Sequence, residues 1–296
     1  MNRAIDHLVI ATRDLEAQAA LYRQLGFQVG ARNRHPWGTE NHIVQFADSF
    51  LELIGLGEGF AAAPARAGVY SFGEFLADLL ERHEGIAMLV LRSSDAEADR
   101  LAFARAGIGD FARFDFARKG RSPDGGEVDV AFSLAYAQDP ALPDAGFFVC
   151  QQHFPENFWN ARLHIHANGA RAIAGIVVAR ERPQDHVEFL QSFAGASEAR
   201  RIEGGFSIEA GAATIEILTP QTIGGRYGAG ALTFDGPPLA ILRVEVRDAA
   251  ATSAILARSQ TPFTQRGQTL IVAACDALGA AIVFESSTPD HVDGSG

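Results

Sequence analysis

The sequence predicts an α+β fold: four βαβββ modules, paired into two open, curled β-sheet barrels. Three observations carry this reading. A short apolar strand followed by an amphipathic helix recurs four times, opening at Ile5, Ile86, Ala170 and Leu239. After each helix come further short strands, in the same order. A single unit of this kind exposes an apolar sheet face and is not stable alone, whereas two units side by side close that face around a cavity. The units are expected near 1–57, 86–153, 170–219 and 239–286, paired one with two and three with four. Two domains are expected, at 1–160 and 170–290.

The first unit is the clearest. Ile5, Leu8, Val9 and Ile10 form a β-branched run too short for a helix. Thr12-Arg13-Asp14 ends it, and a helix follows from Leu15 to Leu25, with Leu15, Ala19, Tyr22 and Leu25 near helical spacing. Gly26 stands where a C-terminal glycine belongs, and Phe27 is expected to open the next strand. His35-Pro36-Trp37-Gly38-Thr39 is a turn. His42 to Phe46 and Ser49 to Ile54 are strands, and Phe50, Glu52 and Ile54 share one face of the second. A carboxylate among such neighbours is costly unless it is paired or bound to metal.

Gly57 to Gly68 reads as a loop. Ser71-Phe72-Gly73-Glu74 matches a capping box, and the helix after it is expected on the outside of the sheet. In the second unit Asp95 to Ala106 is a helix stopped by Gly107, and Phe111, Phe114 and Phe116 mark a strand. Ser122 to Gly126 is a turn, followed by strands at Val128–Tyr136 and Gly146–Gln152. Phe154 to Gly169 has no clean period and reads as irregular chain at the domain boundary. The third unit has its helix from Pro183 to Ala194. Gly224 to Gly230 reads as a linker; it lacks the Gly-Lys-Ser/Thr ending of a phosphate loop, and no helix is expected after it. The fourth unit has its helix from Asp248 to Arg258, and the polar tail after Ser286 is expected to fray.

Composition bounds the partners. The chain has 296 residues, 47% hydrophobic and 21% charged, the profile of a globular protein. Its net charge of −11 argues against a nucleic-acid partner or an anionic membrane surface. Lys119 is its only lysine, so anion contacts would be guanidinium contacts. Two cysteines make no disulfide framework, and Met1 to Asp6 show no signal-peptide core. No apolar run reaches a membrane span. A cytoplasmic protein acting on a small molecule is expected, with a homodimer left open.

The opening Asp6-His7-Leu8-Val9-Ile10, then Asp14-Leu15 and Leu25-Gly26-Phe27, resembles the vicinal oxygen chelate superfamily of glyoxalases, bleomycin-resistance proteins and extradiol dioxygenases. Leu51-Glu52-Leu53 resembles its fourth strand. The turn His35 to Asn41, and Phe148 to His153 with Pro155 to Trp159, resemble its glyoxalase-like subgroup. The resemblance implies cavity-facing ligands on the first and fourth strands of each unit. In unit one these are His7 and Glu52; in unit two, Met88 and one of Cys150, Gln151 or His153; in unit three, Gly175 and Glu216; in unit four, Ile241 and Glu285.

The expected metal set is therefore His7, Glu52 and His153, with Glu52 also the catalytic carboxylate. Two imidazoles and a carboxylate suit Fe(II), and the same set could hold Mn, Ni or Zn. His35, Trp37, Asn41 and Gln151 are the candidates for contacting substrate. Each residue has a plainer reading. His7 could serve the sheet, Glu52 could be a fold residue like Glu216 and Glu285, and His153 could cap its strand. His164 and His166 are read as solvated. The resemblance implies a metal-dependent lyase, isomerase or dioxygenase acting on neighbouring oxygens. A common glyoxalase is disfavoured by Met88. The alternatives are a sequestering, resistance-type binding protein and an accessory protein with a vestigial pocket.

Overall fold

A computed structural model describes residues 2–62, 66–121, 126–232 and 236–286. The first half runs β1 (Ile5–Ala11), α1 (Leu15–Gln24), β2 (Asn33–Arg34), β3 (Thr39–Gln45), β4 (Phe50–Leu56), α2 (Phe72–Arg82), β5 (Gly85–Arg92), α3 (Ala96–Ala106), β6 (Phe114–Arg121), β7 (Glu127–Ala137) and β8 (Gly146–Gln152). A short helix, α4 (Pro155–Phe158), leads to the second half. That half runs β9 (Ala170–Ala179), α5 (Val187–Ala194), β10 (Arg200–Ile202), β11 (Gly205–Ala210), β12 (Ala213–Leu218), α6 (Pro220–Tyr227), β13 (Leu239–Val246), α7 (Ala249–Arg258), β14 (Thr264–Arg266), β15 (Thr269–Val272) and β16 (Ala281–Ser286).

Each half is one eight-stranded sheet, in the orders β2-β3-β4-β1-β5-β8-β7-β6 and β10-β11-β12-β9-β13-β16-β15-β14. Units one and two meet where β1 runs antiparallel to β5, and units three and four where β9 runs antiparallel to β13. Within each unit the first strand lies parallel to the fourth. Local chemistry starts the helices at the same place in units one, two and four. Asp14, Asp95 and Asp248 each accept a backbone N–H of the first turn of α1, α3 and α7. Gly26 takes φ +89° just past α1, where a side chain would be strained.

Residues from both sheets and from α1, α3, α5 and α7 form one core, so the two sheets pack with these helices between them. The halves also touch backbone to backbone. A Cβ on Gly279 would fall 2.0 Å from the carbonyl oxygen of Glu84. Each sheet has an apolar inner face of its own, covered by α2 in the first half and α6 in the second.

Several expectations change. Phe27 opens no strand, because its ring is drawn into the core, and β2 waits until Asn33. The helix α2 lies on the inner face, where Phe72, Leu76 and Leu79 meet Val9, Val90 and Phe148. The stretch after β8 is partly helical. Pro183–Asp185 is a 3₁₀ turn that precedes α5. Gly224 and Gly225 lie inside α6, which Thr219 caps and Pro220 opens. The expected turn at 122–125 and the tail after 286 lie outside the described residues.

The inner face of the second sheet is filled by charge. Arg243 donates through Nε to Glu285 at 2.5 Å and through Nη1 to the Thr214 hydroxyl at 2.9 Å. Its Nη1 lies 3.5 Å from Glu216, which also accepts from Arg226 at 2.9 Å. Gly175 makes the room: a Cβ there would stand 3.3 Å from Arg243 Nη1. Removing one member leaves buried charge unmatched. Arg243→Ala is therefore expected to cost about 3 kcal/mol in chemical denaturation. The triple change Arg243→Met, Glu216→Gln, Glu285→Gln should recover most of that loss. An Arg243→Ala protein as stable as the parent would contradict this account.

Candidate functional site

Beside α2, part of the inner face of the first sheet stays open, and its floor is polar. Glu52 lies on β4 and is 6% exposed. His7, on the neighbouring β1, is 4% exposed and aims Nε2 at Glu52 Oε2, 3.8 Å away. The β1–β5 register slips between Ile5 and His7, leaving Asp6 without a ladder partner. That irregularity sets Asp6 Oδ1 2.7 Å from His7 Nδ1. Gln152 donates to the other Asp6 oxygen at 3.1 Å. The His7 ring also stacks on Phe50, centroid to centroid 4.2 Å.

The turn between β2 and β3 brings in a second imidazole. His35 is 8% exposed; its Nδ1 is 2.9 Å from the Thr39 hydroxyl and its Nε2 is 3.5 Å from Glu52 Oε1. Asn41 donates its amide N–H both to Glu52 and, at 3.4 Å, to His35 Nε2. Burial pushes the His35 pKa down, so the ring is neutral near pH 7. With Nδ1 of His7 donating to Asp6, the Nε2 lone pair of His7 faces the carboxylate, while that of His35 is taken up by Asn41. Such a floor is rich in acceptors and short of donors.

The walls are apolar. Phe50, Phe72, Phe116, Phe132, Phe148 and Phe158 line a narrow cavity of about 50 Å³ above this floor. Trp37 stacks on His35 at 4.4 Å and closes one side. Arg118, on β6, lines both this cavity and a larger polar vestibule beyond it.

The structure brings His7, Glu52, His35, Trp37 and Asn41 together and leaves His153 and Gln151 outside. His153 is exposed, with Nε2 2.8 Å from the Ser133 hydroxyl, which itself donates to Asp115. Gln151 accepts the backbone N–H of Ala96 at the start of α3, on the outer face. The residue that shares a face with Cys150 is Gln152, so the expected register is wrong by one residue. The first-strand positions are as expected: His7 faces Val90 across the ladder as Met88 faces Val9, so Met88 holds the place of His7 in unit two. Gly175 faces Arg243 as Ile241 faces Val177, so Ile241 holds the place of Gly175 in unit four. Phe148, which pairs with Val90 as Glu52 pairs with Val9, occupies the place of Glu52 in unit two, and Cys150 two residues on is a thiol that burial keeps neutral.

His166 is also corrected. It is 6% exposed, accepts the Gln28 backbone N–H at 3.0 Å and donates to the Gln45 carbonyl at 2.9 Å. His164 is half-buried. The expected ligand set thus does not fit a metal ion. Among the described residues no three His, Cys, Asp or Glu groups are spaced to hold one. The set that approaches ligand geometry is His7, Glu52 and His35, with both Nδ1 atoms already held by oxygen partners, as metal-bound imidazoles are.

Sequence reasoning missed the phenylalanine walls, Asp6 and Arg118. A signal for the walls was present. Phe114, Phe116 and Arg118 alternate along β6, and Phe132 pairs with Phe116 across the ladder.

Comparison with known proteins agrees with the fold. No curated protein matches the sequence. Among solved structures, a hypothetical protein from Staphylococcus aureus superposes with a TM-score of 0.65 at 12% identity, covering 97% of this chain and all of that one. A Mn(II)-bound glyoxalase from Novosphingobium aromaticivorans gives 0.53 at 12% identity, over 97% of this chain and 83% of that one. A variant of homoprotocatechuate 2,3-dioxygenase from B. fuscum gives 0.54 at 11% identity, over 98% and 74%. These are similarities of fold. The glyoxalase-like domain family matches residues 5–194, which span the whole first sheet together with β9 and α5, and the chain therefore belongs to the glyoxalase-like domain family.

Proposed function

We propose that the first cavity binds a small, flat, mainly apolar molecule whose hydroxyl groups donate to Glu52. The observation that carries this reading is the convergence of Nε2 of His7, Nε2 of His35 and the Glu52 carboxylate under six phenylalanines. Acceptors buried together attract a donor, because each unmatched polar group in an apolar site costs free energy. A planar ring suits the aromatic walls, and adjacent hydroxyls suit the paired oxygens of Glu52. Bound there, such a ligand would give its proton to Glu52, the group placed to act as general base. Sequestration without turnover uses the same contacts.

A second reading has one observation in its favour. The two imidazoles and the carboxylate are the right kinds of group for a divalent cation, once Glu52 lets go of Asn41. As they stand the three are not spaced to hold one; drawn closer together, His7, Glu52 and His35 would hold it, and it would supply a Lewis acid to a substrate oxygen. Fe(II), Mn, Ni and Zn all accept this set. A lyase, isomerase or dioxygenase acting on neighbouring oxygens would follow. Two structural neighbours, a Mn(II)-bound glyoxalase and a dioxygenase, support this reading by analogy of fold.

Catechol tests the first reading by titration calorimetry. Wild type should bind it, Glu52→Gln should weaken binding about tenfold, and His153→Ala should leave it unchanged. Unaltered binding by Glu52→Gln would remove Glu52 from the site. Elemental analysis after equilibration with Mn(II) and desalting tests the second. Retention by wild type and His153→Ala, with loss in His7→Ala and His35→Ala, is the expected result. Loss in His153→Ala, or a metal-free wild type, would end the metal reading.

A further inference from the structure

Arg118 is the charged group whose position the proposed donor contacts leave unexplained. It stands where the aromatic cavity opens into the vestibule and lines both. Its Nε is buried with no hydrogen-bond partner, and one terminal N–H reaches only the Lys119 carbonyl, at 3.3 Å. Among the described residues no carboxylate lies within ion-pair distance of it. The neighbouring Lys119, by contrast, is paired with Asp129 at 2.9 Å and Glu127 at 3.4 Å. Burial pushes the Arg118 pKa down, and the more distant charge of Glu52 pushes it up. A second donor in the same cavity is also unmatched. The indole Nε1 of Trp37 is buried without a partner. Acceptors therefore crowd the floor, while unmatched donors stand at the wall and the mouth. A ligand that satisfies both ends carries a donor at one end and acceptor oxygens at the other.

We infer that Arg118 is a specificity-determining residue that receives the carboxylate of the ligand, and that the ligand is a hydroxylated aromatic acid lying with its hydroxyl toward Glu52. This rests on the proposal that the first cavity binds a flat hydroxylated molecule. Guanidinium suits the task because its N–H groups match a carboxylate edge. The half-open position of Arg118 lets the acid remain partly hydrated, so the ligand is not asked to bury a bare charge.

The probes are 4-hydroxybenzoate and its neutral counterpart 4-hydroxybenzamide, titrated calorimetrically into the full-length protein. Wild type should prefer the acid by about tenfold, and the preference should shrink as salt is raised. Arg118→Gln should erase the preference while keeping affinity for the amide. Arg118→Lys, which keeps the charge and loses the Nε donor, should fall between the two and guards against a folding defect. Equal affinity of wild type for both probes would overturn the assignment of Arg118 and leave the cavity proposal standing. So would a preference that survives in Arg118→Gln. Binding of neither probe, nor of catechol, would overturn the cavity proposal and this inference with it.

Discussion

A carboxylate held 6% exposed under aromatic rings is the constraint that organises the first half of this protein. Glu52 cannot keep its charge there without partners. The strand β3 supplies the Asn41 amide as donor, while the β2–β3 turn and β1 set the His35 and His7 rings beside it. The irregularity at Asp6 is part of the same arrangement, because it fixes the His7 ring from behind. These contacts hold the carboxylate without using it up, since both imidazoles stand beyond hydrogen-bond distance from it.

The second half answers the same problem in the opposite way. It carries carboxylates on the same face, Glu216 at the place of Glu52 and Glu285 two residues beyond Val283, the matching position in unit four. There Arg243 crosses the cavity into the space left by Gly175 and joins both of them. The helix α6 completes the filling with Ile223 and Tyr227. One fold thus carries an open pocket and a filled one, and the difference rests on few side chains. Where the first sheet has His7 opposite Val90, the second has Gly175 opposite Arg243. Function in such a fold resides in what stands at those central positions, not in the strand order.

The repeat and its pairing were legible because they are written in local chemistry. Aspartate caps, glycine stops and short β-branched runs recur at the same offsets. The residues of the His35–Asn41 turn were legible as a group for the same reason, since a tight turn keeps its members close. Register was not. A slip of one residue in β8 moves Gln151 and His153 to the outer face and brings Gln152 to Asp6. Nothing in the spacing of β8 announces that slip, because it depends on pairing with β5 and on the irregular ladder between β1 and β5. The inward packing of α2 escaped for a related reason. Its apolar stripe states that it packs, and only the curl of the sheet states on which side.

The central claim is that the first cavity is a working pocket, and Trp37 reports on it directly. The chain has two tryptophans. Trp37 lines the cavity, whereas Trp159 stands behind Phe50, 6.0 Å from its ring centroid. Fluorine NMR of 5-fluorotryptophan-labelled protein therefore gives one signal inside and one outside. Titration with 4-hydroxybenzamide should shift the Trp37 resonance saturably and move that of Trp159 far less. A Trp37 resonance that stays fixed while the compound binds, or that is untouched by any hydroxylated aromatic probe, would contradict the account.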